Sequence, residues 1–183
     1  MTNPVLVSEA YSFAAERHTD QRRKGVKEEP YINHLVEVAA LVAAATEGKD
    51  HGLIAAAVLH DTLEDTKTTP EELATTFSPT IRDLVQELTD DKRLPKAERK
   101  ARQVAGAPHL SARAKLIRIA DKIANVRDVT HHPPAHWDLA RRQGYLDWAE
   151  QVVAGCRGVN PRLEAACDHV LREGRAMLRS PLR

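Results

Sequence analysis

The chain has 183 residues, 27 Lys and Arg against 26 Asp and Glu, and a formal net charge of +1, so no global field recruits nucleic acid. Hydrophobic residues make up 42% and charged residues 29%, which excludes a disordered chain and suits one domain, 1–183, with a substantial core. No apolar run is long enough for a membrane span, and no charged n-region leads into an apolar signal core.

Apolar spacing predicts a helix from Val5 to about Arg17 and, after the turn signal Glu29-Pro30, another from Asn33 to Ala45. The Ala- and Leu-rich stretch from about His51 to Asp61 reads as a buried helix. Thr69-Pro70-Glu71-Glu72 has helix-start chemistry, with proline in the first turn followed by acids. Ser78-Pro79 opens a helix to about Thr89, and Pro95 one to about Ala105. Ser111 to Val129 is a long amphipathic segment, Pro133-Pro134 breaks the chain, and helices from about His136 to Ala154 and Pro161 to Arg175 follow. Alternating β-branched runs are missing, so the expected fold is all-α, a single bundle of about eight to ten helices. Cys156 and Cys167 have neither metal-ligand spacing nor a disulfide framework and read as reduced thiols of a cytoplasmic protein.

Chemistry concentrates in Leu59-His60-Asp61-Thr62-Leu63-Glu64-Asp65-Thr66, where a His-Asp doublet and a Glu-Asp doublet crowd behind an apolar run. A lone His on an apolar helix is usually a satisfied core residue, but acids beside a core helix need partners or a metal. On a continuous helix Asp61 and His60 would both lie beside Glu64. His34 and Asp121 sit in apolar-patterned segments elsewhere. His34, His60, Asp61 and Asp121 therefore make a candidate ligand shell for one divalent metal, with Mn²⁺, Zn²⁺ or Fe²⁺ all suiting two imidazoles and two carboxylates. Glu64 and Asp65 are candidates for orienting a water and moving its proton.

With these residues in this order, the chain resembles the HD-domain metal-dependent phosphohydrolases, and in particular the hydrolase domain of RelA/SpoT alarmone enzymes and their small hydrolase-only relatives. The matching stretches are Arg22-Arg23-Lys24, Tyr31-Ile32-Asn33-His34, His60 to Thr66, Thr89-Asp90-Asp91-Lys92, Leu94-Pro95-Lys96 with Glu98-Arg99-Lys100, and Lys115 to Lys122, and the likeness continues to Gln143-Gly144-Tyr145 and Trp148. The resemblance implies removal of the 3′-pyrophosphate from guanosine tetra- and pentaphosphate with Mn²⁺. At 183 residues the chain leaves no room for the synthetase and regulatory domains of the long enzymes, so neither is expected. By the same resemblance Arg23 and Lys24 line a nucleotide pocket.

Further substrate contacts are expected from Lys96, Asn125, Arg141 and Tyr145. Asn125 lies four residues after Asp121, and Trp137, Arg141 and Tyr145 are spaced four apart as one helical stripe, with Trp137 a weaker candidate. His131-His132 reads as a loop pair, and His18, His51, His109, His136 and His169 have no partner that spacing identifies. Alternatives left open are a phosphatase for the NADPH 2′-phosphate, a hydrolase of adenine alarmones, and a catalytically silent nucleotide-binding module, against which the intact Glu64-Asp65 pair argues. The expected partner is a small nucleotide, with no nucleic acid or membrane; the sequence does not report oligomeric state.

Overall fold

The computed structural model describes residues 3–179. Among them lie ten α-helices: α1 (Pro4–Arg17), α2 (Ile32–Ala45), α3 (His51–Leu59), α4 (Thr62–Asp65), α5 (Pro70–Thr76), α6 (Pro79–Leu88), α7 (Lys96–Gly106), α8 (Ala112–His131), α9 (Leu139–Cys156) and α10 (Pro161–Arg179), with a 3-10 turn at Ala107–His109. No strand occurs among the described residues, only an isolated bridge between Arg22 and Pro30. Side chains start most of these helices. Asn3, Asp50, Thr69, Ser78, Ser111 and Asp138 each accept a hydrogen bond from the amide three residues on, satisfying one otherwise orphaned N–H.

Two apolar clusters share α8. Ala114, Ile117, Ala120 and Ala124 pack with α1, α2, α3 and α6, whereas Ile119, Ile123, Val126 and Val129 pack with α9 and α10. A helix apolar on two faces must be central. Helix α3 is enclosed more fully still: Leu53 to Leu59 are all buried, and the run Ala55-Ala56-Ala57 lets α1, α2 and α6 approach closely. Asp121 of α8 and His60 beyond α3 are thus buried polar groups carried on central elements.

The long helix expected through Asp61 stops instead at Leu59, and a separate short α4 begins at Thr62. The side chains explain the break: the buried Thr62 hydroxyl donates to Leu59 O at 2.6 Å, and His60 Nδ1 lies 2.8 Å from Ala57 O. Both satisfy carbonyls that a continuing helix would have used. Helix α9 likewise starts at Leu139 because Asp138 caps it, which leaves Trp137 outside the helix. His131 is helical, the last residue of α8 rather than part of a loop, and α10 extends to Arg179.

Candidate metal centre and active site

Three elements bring the expected donors together. His34 stands in the first turn of α2, His60 and Asp61 in the break between α3 and α4, and Asp121 midway along α8. Donor atoms of His34, His60 and Asp121 lie within 4.8 Å of one another, all three residues buried. Asp121 Oδ1 is 3.3 Å from His34 Nε2 and 3.8 Å from His60 Nε2. Asp61 Oδ2 is 3.7 Å from His34 Nε2 and 3.2 Å from His60 Nε2.

The donor chemistry fits a divalent cation. Neither Nε2 has a hydrogen-bond partner although both are buried. The contact of His60 Nδ1 with Ala57 O requires a proton on Nδ1, so the Nε2 lone pair of the neutral ring faces the two carboxylates. Tyr31 donates to Asp61 Oδ2 at 2.7 Å, and Asn125 Nδ2 donates to Asp121 Oδ1 at 2.5 Å. Lys122 lies 3.0 Å from the other Asp121 oxygen. Both carboxylates are therefore oriented by neighbours. Burial disfavours a charged His60, yet Asp61 and Asp121 outweigh it and lift its pKa to about 10. Burial disfavours the Asp121 carboxylate too, but Lys122 and the imidazoles hold it well below the usual range. His34 is pushed down, chiefly by burial. Such a site demands positive charge at its centre, supplied by a proton or by a cation.

Glu64 and Asp65 flank this centre in different states. Glu64 Oε2 accepts from the Asp90 amide at 3.2 Å, and Arg99 Nη1 lies 3.6 Å from Oε1. Burial, with the Asp61 charge adding to it, raises the Glu64 pKa to about 7. Asp65 is committed at both oxygens, accepting from Gln21 Nε2 at 2.8 Å and pairing with Lys92.

Cations and aromatics wall one side. Arg141 stacks over Trp137 at 4.5 Å and Lys96 over the same ring at 5.6 Å. Lys100 and Lys122 each lie 4.4 Å from the Trp148 ring centre, and Tyr145 packs between Trp137 at 5.7 Å and Trp148 at 5.3 Å. The aromatic cluster thus forms although Trp137 is outside the helix. Burial lowers the pKa of Lys96, helped by Arg141 and Lys24, and lowers that of Lys100, helped by Lys96 and Lys122. Tyr145 is raised, first by burial and then by Asp121. Lys24 is exposed. Arg23 is brought to the site but already bound, donating to Asp128 at 2.9 Å and to Asn125 Oδ1 at 3.1 Å. Its loop is held against the end of α8, since a Cβ on Gly25 would stand 2.4 Å from His132 O. His131 and His132 line a cavity of about 270 Å³ with Arg127, Glu37 and Asn33, and its lining reaches Arg23 and His34 at the edge of the metal centre.

Sequence reasoning passed over Gln21 and gave no role to Tyr31, Lys92, Arg99, Lys100 and Lys122, although these five stand in the stretches that carry the resemblance. Lys122 adjoins Asp121 and Lys100 lies four residues after Lys96, which are signals of a sort. Nothing in the spacing joins Gln21 to Asp65, 44 residues away.

The profile of the HD domain family matches residues 10–149, and the chain belongs to that family. Within it, the chain is 45% identical over 172 residues to guanosine-3′,5′-bis(diphosphate) 3′-pyrophosphohydrolase MESH1 of Xenopus tropicalis, covering 94% of this chain and 96% of that protein. The Homo sapiens protein of the same name is 47% identical over 165 residues, covering 90% and 92%. A solved structure described as a metazoan ortholog of SpoT that hydrolyses ppGpp and plays a role in starvation responses superposes with a TM-score of 0.91 at 40% identity, over 97% of this chain and 99% of that one. GTP pyrophosphokinase rsh of Brucella melitensis is 36% identical over 131 residues, which make up 68% of this chain and 17% of that protein.

Proposed function

We propose that residues 1–183 form a single hydrolase domain that removes the 3′-pyrophosphate of guanosine 3′,5′-bis(diphosphate) and of the pentaphosphate, releasing GDP or GTP and pyrophosphate. The observation that carries this reading is the buried convergence of two imidazole Nε2 atoms on Asp61 and Asp121 beside a cationic, aromatic wall. The names of the relatives similar over more than nine-tenths of the chain support the substrate class.

His34, His60, Asp61 and Asp121 would hold one divalent cation, for which we propose Mn²⁺. When bound, such an ion supplies Lewis acidity toward a phosphoryl oxygen and toward water. The chain's own groups handle the proton and the charge. A water adds to the phosphorus carried by the ribose 3′ oxygen, the P–O3′ bond breaks, and the 3′ oxygen gains a proton. Glu64, with a pKa of about 7, takes the water's proton and returns one to the leaving oxygen. Asp65, held by Gln21 and Lys92, orients the water. Arg141, Lys96 and Lys24 meet phosphate oxygens; among the described residues Lys96 and Arg141 lie over the Trp137 ring and form no ion pair with a carboxylate. Tyr145 and the Arg23 guanidinium flank the nucleoside, while Asn125 orients Asp121. The buried free thiols Cys156 and Cys167 suit a reducing compartment, the cytoplasm.

The test is product analysis over a nucleotide panel with Mn²⁺, comparing the natural chain with Glu64→Gln. The expected result is pyrophosphate plus GDP from the tetraphosphate, and a fall of about 10² to 10⁴-fold in kcat in the variant with metal retained. Orthophosphate as the product, or faster release of phosphate from NADPH or of pyrophosphate from an adenine alarmone, would overturn the substrate assignment. No turnover of any nucleotide would leave a binding module.

A further inference from the structure

We propose that His18 and Gln21 are positioning residues for the reaction, forming a two-bond relay that locks the Asp65 carboxylate in one orientation. The inference rests on the role given to Asp65 above. His18 follows the last turn of α1, almost wholly buried. Its Nδ1 is 2.5 Å from Gln21 Oε1, and Gln21 Nε2 is 2.8 Å from Asp65 Oδ2.

The direction of both bonds follows from the acid at the end. Asp65 pairs with Lys92 through its other oxygen, so it is a carboxylate that can only accept. Gln21 must therefore turn its amide NH₂ toward Asp65, which leaves its carbonyl oxygen facing His18. A carbonyl only accepts, so His18 Nδ1 carries the proton. Turning the Gln21 amide over would set its oxygen against the Asp65 carboxylate and its NH₂ against the His18 N–H, in a partly buried place.

The imidazole is itself clamped, stacking on Tyr31 at 5.2 Å between centroids with the planes 25° apart. Tyr31 is the residue that donates to Asp61 Oδ2. One stacked pair, the buried His18 on the half-buried Tyr31, thus sets two acids at once, Asp61 directly and Asp65 through Gln21. The segment between them is closed by Tyr31 N to Gln21 O at 3.0 Å and Arg23 N to Glu29 O at 2.8 Å, so the relay sits on a tied loop.

The test is a double-mutant cycle between Gln21→Met and Asp65→Asn in Mn²⁺-loaded protein, reading kcat, KM and bound metal. Gln21→Met keeps the shape and loses both bonds. The expected outcome is a drop of about ten- to a hundred-fold in kcat, with KM and metal content unchanged and little further loss when Asp65→Asn is added. His18→Asn, which keeps a donor near the Nδ1 position, should hold more activity than His18→Ala. If Asp65→Asn loses activity while Gln21→Met does not, or if the two losses multiply, the relay is wrong and the role of Asp65 stands. Full activity in Asp65→Asn would remove the role of Asp65 and the relay with it. Should Gln21→Met melt far below the natural chain, His18→Asn against His18→Ala decides, and equal activity in those two overturns the relay.

Discussion

Single side chains decide the charge of this site. Asp121 is held by Asn125 and Lys122 and faces two imidazoles, so Asp121→Ala removes a donor while leaving α8 its apolar faces. The expected result is loss of bound metal and of turnover with helical content preserved, checked by elemental analysis and circular dichroism; full metal occupancy would end the assignment. Glu64 carries a pH signature of its own. Its folded pKa of about 7 stands above its ordinary 4.5, so between those values the folded chain keeps a proton that the unfolded chain has released. Stability of the metal-free protein therefore falls as pH rises through that window, and Glu64→Gln should flatten the fall in denaturant titrations across pH 4.5 to 7.5. Among the cations, Lys24→Ala and Arg141→Ala should raise KM for guanosine tetraphosphate by about ten- to a hundred-fold, more at low salt than at high, with a smaller effect on kcat. Unchanged KM in both would make these surface charges.

At the scale of elements, the breaks matter more than the helices. Ending α3 at Leu59 turns His60 and Asp61 toward α8, and the Thr62 hydroxyl sets that ending. The loop between α1 and α2 is fixed just as locally, because Gly25 lets its backbone lie against His132 O. Gly25→Ala brings a Cβ to 2.4 Å from that oxygen, so the loop must shift and carry Arg23 away from Asp128 and Asn125. We expect a raised KM with the metal still bound, measurable by kinetics alongside elemental analysis. The same helix spacing that was readable for Trp137, Arg141 and Tyr145 failed at Trp137, where an Asp138 cap starts α9 two residues later.

Across the whole molecule, one centre joins α2, the α3–α4 break and α8, so a ligand there ties elements from both apolar clusters. A cation that binds only the folded form adds about 2.7 kcal/mol when free metal is one hundred times its Kd, or roughly 5 to 10 °C in melting temperature for a chain of this size. Mn²⁺ should produce that rise in the natural chain and not in Asp121→Ala. None of the described helices is long and apolar enough to cross a membrane.

The sequence by itself determined the helical class and most helix starts, and it singled out the His and Asp residues that the fold then brings together. Those signals are local: a capping side chain lies within three residues of the amide it satisfies, and His, Asp and Glu near an apolar run are conspicuous because charge is costly to bury. Only the tertiary structure decided how those residues are used. That Arg23 spends its guanidinium on Asp128, that Arg99 lies against Glu64, and that Gln21 reaches Asp65 are contacts between segments whose spacing along the chain carries no period. Directional hydrogen bonds depend on where packed elements place their donors and acceptors, and packing is set by the apolar clusters of α3 and α8 together, not by any one stretch of residues.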